Sequence, residues 1–252
     1  MIVSVLGSSV TFWVSPSRES RDDATYLELV RAELQARIPG SQVQSFAIWN
    51  GTILDAQREY RSAVQRLSPD VLVLHYGAAE AFPRAYPLRW LWYLHGDRTD
   101  ERLLRSRVRT LADRGIWPLL RRWQRVFSVC LPRIMLVSPR RFERELRSLL
   151  DKAQRDTRCR VIMIEPMDPG ERLEHWVPGH SARIEALRAV TRKVAADYPA
   201  TAVLDPRTAA PEPPSSLLPD GLHLSPTGHA HIAELLLHAL DLERAALIPD
   251  VR

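Results

Sequence analysis

The chain has 252 residues, 45% hydrophobic and 26% charged, a length and balance that suit a globular protein with a sizeable core and exclude a disordered or fibrous chain. Its formal charge of +5 rests on arginine, since Lys152 and Lys193 are the only lysines. This excess reads as a solvated basic surface, and no nucleic-acid partner is expected from it.

Ile2 to Leu6 is a short apolar run that predicts a buried first strand, with Gly7 to Thr11 as the strand-to-helix loop behind it. Ser15 to Asp23 is polar and predicts a surface loop. Between Ala24 and Ile38, the residues Leu27, Val30, Leu34 and Ile38 share one helical face, and Pro39-Gly40 ends the helix. Val43 to Ile48 predicts a second strand that closes on Asn50-Gly51. Ile53, Ala56, Tyr60, Val64 and Leu67 mark a second helix, and Pro69 leads into a third strand, Asp70 to His75. Strands that alternate with amphipathic helices imply a parallel sheet covered on both faces.

The alternation then breaks. Residues 81–136 form an irregular, Arg-rich stretch that includes Trp90, Trp92, Trp117 and Trp123, and it predicts a helical, lid-like insertion. The same apolar residues serve either to cap a substrate pocket or simply to pack the insertion on the sheet. Its arginines suit an acyl carrier or an anionic membrane surface equally. Ser138-Pro139 starts a further helix with Phe142, Leu146 and Leu149 inward. Val161 to Ile164 is a fourth strand, Ile184 to Val194 a helix, and Ala202 to Leu204 a fifth strand. A Pro-rich loop, Pro206 to Pro219, leads to Asp220. The predicted architecture is one α/β domain over residues 1–252, a three-layer α/β/α sandwich around a flavodoxin-like parallel sheet of about five strands.

Cys130 and Cys159 make no disulfide framework and predict two core thiols in a reducing compartment. The N-terminal apolar run is short and lacks a basic start, and no run spans a bilayer, so a cytoplasmic location is expected. His229 and His231 lie two apart on a helix and point to different faces. With His238 they do not make a metal site, and none is expected.

Chemistry concentrates at the two ends of the chain. Near the C-terminus stands Asp220-Gly221-Leu222-His223-Leu224-Ser225-Pro226-Thr227-Gly228, a carboxylate three residues before a histidine, in a turn entering a helix. Ser225 suits the N-cap and Pro226 the first helical position. An Asp and a His so placed can hold an imidazole in one tautomer, as a general base requires. At the other end, Gly7-Ser8-Ser9 offers a hydroxyl where the first strand releases its chain.

These two motifs resemble those of the SGNH/GDSL hydrolase family, and the resemblance covers residues 1–80 and about 158–240. It implies Ser9 as nucleophile, His223 as base and Asp220 as the carboxylate that orients it. Where the family usually has Gly-Asp-Ser, this chain has Gly7-Ser8-Ser9. The family also supplies oxyanion donors: the nucleophile's own N–H, that of Ser9, and a glycine N–H after the second strand. Gly51 matches that glycine, although Asn50-Gly51 reads equally as a plain turn. A further donor comes from an Asn in Gly-x-Asn-Asp after the third strand. Here the stretch is Gly77-Ala78-Ala79-Glu80, and Ala79 cannot donate. Either Arg84 replaces the donor, or the substrate is activated enough to need none, or the protein is a silent relative. Glu80, Arg84, Trp90 and Trp92 are candidate substrate contacts, with a structural role for Glu80 and for His75 equally open. The resemblance implies hydrolysis of a small or lipid-like acyl ester or thioester without a cofactor. Transfer of the acyl group to another acceptor is the alternative.

Overall fold

In a computed structural model, the structure describes residues 1–15, 24–83, 126, 129–130, 135–208, 210–211 and 213–246. The five strands are β1 (Ile2–Gly7), β2 (Gln42–Ser45), β3 (Val71–His75), β4 (Arg160–Ile164) and β5 (Thr201–Leu204). All neighbours run parallel, in the order β2-β1-β3-β4-β5. This is the flavodoxin-like order, whose direction of winding reverses between β1 and β3, and ligands bind beyond the carboxyl ends of the strands at that reversal. Gly7 and His75, the last residues of β1 and β3, are register partners there.

The helices whose bounds lie among the described residues are α1 (Tyr26–Arg37), α2 (Ile53–Tyr60), α3 (Pro139–Asp156), α4 (Glu171–Trp176), α5 (His180–Ala196), α6 (Pro214–Leu217) and α7 (Pro226–Ala246). Side-chain alternation along the central strands splits the core into two layers. Val3, Val5, Val73 and Ile162 pack with Val30 and Leu34 of α1 and Leu236 of α7. Leu6, Leu72, Leu74 and Met163 pack with Ala56 of α2, Leu146 of α3 and Leu187 of α5. Strands buried on both faces read in sequence as continuous apolar runs, which is why they could be recognised.

Local chemistry sets the helix starts. Thr25 accepts from the Glu28 N–H while the Glu28 carboxylate accepts from the Thr25 N–H, a reciprocal cap at the head of α1. Ser138 accepts from the Arg141 N–H ahead of Pro139, as its sequence suggested. Ser225 likewise accepts from the Gly228 N–H at the head of α7.

Three expectations change. The second strand ends at Ser45, although the Phe46 and Ile48 N–H groups go on donating to the carbonyls of Val5 and Gly7. The second helix passes at Arg61 into a π-helical turn, Arg61–Gln65. Cys159 is buried, but Cys130 is exposed and so is not a core thiol. The insertion expected over 81–136, with its helical character, lies for the most part outside the described residues. Its described ends meet, with the Leu136 N–H donating to the Phe82 carbonyl at 2.7 Å. Among the described residues no helix is long and apolar enough to cross a membrane.

Candidate active site

Beyond the carboxyl end of β1 the chain turns at once into a short 3₁₀ turn, Ser9–Thr11. This places Ser9, only 4% exposed, at the rim of the sheet. Its Oγ lies 3.0 Å from Nε2 of His223, although 214 residues separate the two in sequence. Nδ1 of His223 lies 2.7 Å from Oδ2 of Asp220. A carboxylate accepts, so Nδ1 carries the ring proton and Nε2 is left to accept from the serine. The other Asp220 oxygen accepts the N–H groups of Leu222 and His223, at 2.8 and 2.7 Å. Burial alone would raise the Asp220 carboxyl, but its bonds to the His223 ring and to these two N–H groups outweigh that and hold its pKa below the usual carboxylate range.

The turn that carries the pair depends on Gly221. Its φ is +86°, and a Cβ there would meet the Leu173 backbone nitrogen at 3.0 Å. The nucleophile turn and the histidine turn are tied directly, since the Ser15 N–H donates to the Leu224 carbonyl at 2.7 Å.

His229 fastens a second element. Its Nδ1 accepts from the Tyr26 N–H and its Nε2 donates to the Trp13 carbonyl, both at 3.1 Å. The ring is therefore a neutral structural link, and burial lowers its pKa to about 4. His75 is also buried, with Nδ1 3.1 Å from the Tyr26 hydroxyl, and burial first and His229 second lower its pKa to about 3. His231 lies 2.8 Å from the Pro206 carbonyl. Among the described residues no group of three or more His, Cys, Asp or Glu side chains is placed to hold a metal.

Two sequence expectations need correction. The Gly51 N–H donates to the Ile48 carbonyl at 2.9 Å, closing a turn through Asn50 at φ +53°. It is occupied within that turn rather than presented to a substrate. A glycine is needed there because a Cβ would meet the Ile48 and Gly7 carbonyl oxygens at 2.9 and 3.1 Å. Glu80 is fully buried. Its carboxylate accepts the Ile53 N–H at 2.7 Å and the Gly77 N–H at 2.8 Å, so it joins the head of α2 to the turn after β3. Burial raises its pKa to about 7 against those bonds. Arg84, Trp90 and Trp92 lie outside the described residues.

Sequence reasoning missed two aromatic rings. Trp49 stacks on His223, with ring centroids 6.0 Å apart, and Trp13 tilts against it at 6.2 Å. The two indoles meet edge to face at 4.8 Å. Their signal was available, because Trp13 follows Ser9 by four residues and Trp49 precedes Gly51 by two.

Residues 5–231 match the GDSL-like lipase/acylhydrolase family. The chain belongs to that family. No curated protein matches it in sequence. Among solved structures, this GDSL-like chain is similar to a lipase/acylhydrolase from Enterococcus faecalis, with a TM-score of 0.62, 19% identity and 95% of each chain covered. It is similar to an alpha/beta hydrolase enzyme from the metagenome of Lake Arreo, with a TM-score of 0.59, 18% identity and 94% of each chain covered. A catalytic mutant of Axe2, an acetylxylan esterase from Geobacillus stearothermophilus, gives a TM-score of 0.60 at 17% identity over 94% of this chain and 92% of that one. At these identities the likeness shows a shared fold, and the family match supports hydrolase activity on acyl esters.

Proposed function

We propose that the protein hydrolyses small acyl esters through a covalent acyl-serine intermediate, with Ser9, His223 and Asp220 as its triad. The observation that carries this reading is the unbroken chain of contacts from Ser9 Oγ to His223 to Asp220. As Oγ bonds to the ester carbonyl carbon, its proton passes to Nε2 of His223, and Asp220 stabilises the imidazolium that forms. Collapse of the tetrahedral intermediate breaks the bond to the alkoxy oxygen, which leaves with the proton from Nε2. Water then repeats the sequence on the acyl-enzyme and releases the acid.

Among the described residues nothing accepts the Ser9 N–H, so it is available to the oxyanion. Ala79 has no side-chain donor and the Gly51 N–H is engaged, which leaves the hole weak unless Arg84 supplies a group. Activated esters and thioesters are therefore the favoured substrates. The experiment is hydrolysis of a panel of short-chain nitrophenyl esters by the wild type and Ser9→Ala. Turnover abolished in Ser9→Ala, with a fluorophosphonate labelling Ser9 in the wild type, supports the proposal. Equal turnover in both proteins defeats it. The poor oxyanion hole favours one other reading, a non-catalytic ester-binding protein, for which the wild type would bind the esters without cleaving them.

A further inference from the structure

Two tryptophans meet the imidazole of His223, and they meet it differently. Trp49 lies nearly parallel to the ring, so its face is turned to the base. Trp13 is tilted 55° to the imidazole, with centroids 6.2 Å apart, and 75° to Trp49. An indole so tilted stands beside the base as a wall. Its backbone is fixed at both polar groups: the Trp13 N–H donates to the Ser9 carbonyl at 2.9 Å, and the Trp13 carbonyl accepts from Nε2 of His229 at 3.1 Å. The nucleophile's own turn therefore places this ring, which is only half-buried. The His223 side chain also keeps 13% of its surface exposed, so the base can be reached from solvent.

In the proposed mechanism Nε2 of His223 gives its proton to the leaving oxygen or sulfur, which has to come within about 3 Å of it. The leaving half of the substrate therefore starts at the base, and a ring on a short linker beyond that atom falls within reach of Trp13. Charge narrows its class. His223 becomes a cation as it takes the serine proton and repels a cationic leaving group, while the negative π face of the indole disfavours an anionic one. Among neutral groups an aromatic ring gains most, because offset or edge-to-face contact with an indole adds to the burial of area. A saturated ring of the same size gains the burial alone.

We propose that Trp13 is the wall of a leaving-group subsite and selects alcohols or thiols that carry an aromatic ring on a short linker. The proposal rests on the serine-hydrolase reading above and names the half of the substrate which that reading leaves open. Trp13 is then a specificity-determining residue: it touches the departing group and takes no part in proton transfer.

The test compares kcat/KM for S-(2-phenylethyl) thioacetate and S-(2-cyclohexylethyl) thioacetate, which share acyl group, linker and ring size. The wild type should prefer the phenyl substrate by about fivefold, the effect of one aromatic pair. Trp13→Leu should bring the ratio near one, and Trp13→Phe should retain part of the preference. A ratio near one in the wild type, or an unchanged ratio in Trp13→Leu, overturns the proposal. Binding is read without turnover, from indole ¹⁵N–¹H spectra of the wild type titrated with 2-phenylethanol and with 2-cyclohexylethanol. The resonance that Trp13→Leu or Trp13→Phe removes should respond at about fivefold lower concentration of the aromatic alcohol. An equal response to both alcohols, or none, also overturns the proposal, even if one variant fails to fold. Ser9→Ala that retains turnover instead defeats the hydrolase reading and leaves the binding spectra to decide whether Trp13 holds an aromatic alcohol.

Discussion

The indole of Trp49 lies almost parallel to the imidazole of His223, with planes 20° apart and centroids separated by 6.0 Å. An aromatic face attracts a cation, and in the proposed mechanism His223 becomes one when it takes the serine proton. The contact therefore stabilises a species on the reaction path more than the resting enzyme. Trp49 also sits on the turn that Gly51 closes, so in the proposed mechanism that turn contributes a ring beside the base while its Gly51 N–H stays bonded to Ile48.

Trp49→Ala should lower kcat by about fivefold, corresponding to about 1 kcal/mol for such a contact, with little change in KM. Trp49→Phe should keep most of the rate. Steady-state kinetics on one nitrophenyl ester separates the cases. A raised KM with kcat unchanged would make Trp49 a wall for substrate and not a partner of the base.

Asp220→Asn should reduce kcat by about 10⁴, because an amide opposite Nδ1 no longer selects the tautomer that leaves Nε2 free to accept. The Asp220 side chain is 40% exposed, so the melting temperature should change little. His223→Ala should remove nearly all turnover. Equal damage from His231→Ala at an unchanged melting temperature would place the base elsewhere.

Gly221→Ala tests the turn that holds both groups. Positive φ and the contact with Leu173 force the backbone to move, and such strain costs on the order of 1–3 kcal/mol. Both the melting temperature and kcat should fall. Full activity in Gly221→Ala would show that the Asp220–His223 geometry tolerates a different turn.

The pH dependence of stability follows from buried groups outside the triad. His75 and His180, at about 3, and His229, at about 4, titrate below the ordinary value of 6.5. As pH falls from 6.5 towards 4, the unfolded chain takes up these protons and the folded chain does not, so stability falls. Glu80, raised to about 7 from 4.5, works the other way: the folded state binds its proton first, and stability grows as pH falls from 7 to 4.5. Three groups outweigh one, so the melting temperature should drop on acidification below pH 6.5. Glu80→Gln removes the opposing group and should steepen that drop, and differential scanning calorimetry from pH 7.5 to 4.5 reads both slopes. A parallel pH profile in Glu80→Gln would count against a shifted Glu80.

The five strands could be read because those between two helical layers are apolar at successive positions, as Val71 to Leu74 are. The meeting of Ser9, Asp220 and His223 could be read because each sits in a short motif whose residue order suits such a contact. Gly51 could not, since sequence specifies an Asn-Gly turn but not where its N–H points. Glu80 was ambiguous because a carboxylate after a strand serves a pocket or a buried pair of N–H groups equally well.

The oxyanion hole offers the sharpest test of how this chain departs from its family. With Ala79 lacking a side-chain donor and the Gly51 N–H bonded to Ile48, the proposed hole is left to backbone N–H groups such as that of Ser9. A single missing donor typically costs about 10²–10³ in kcat. Ala79→Asn should then raise kcat on a plain alkyl ester by up to that factor. It should change a thioester less, because a better leaving group lowers the barrier that the donor helps to cross. The rival account is that Arg84 has taken the donor's place. On that account Arg84→Ala should cut kcat by about 10²–10³ on both substrates, and Ala79→Asn should add little. If Arg84 only helps to bind substrate, Arg84→Ala raises KM and leaves kcat alone. Measuring both variants on one plain ester and one thioester separates the two accounts, and no change in any of the four combinations would favour the non-catalytic binding protein.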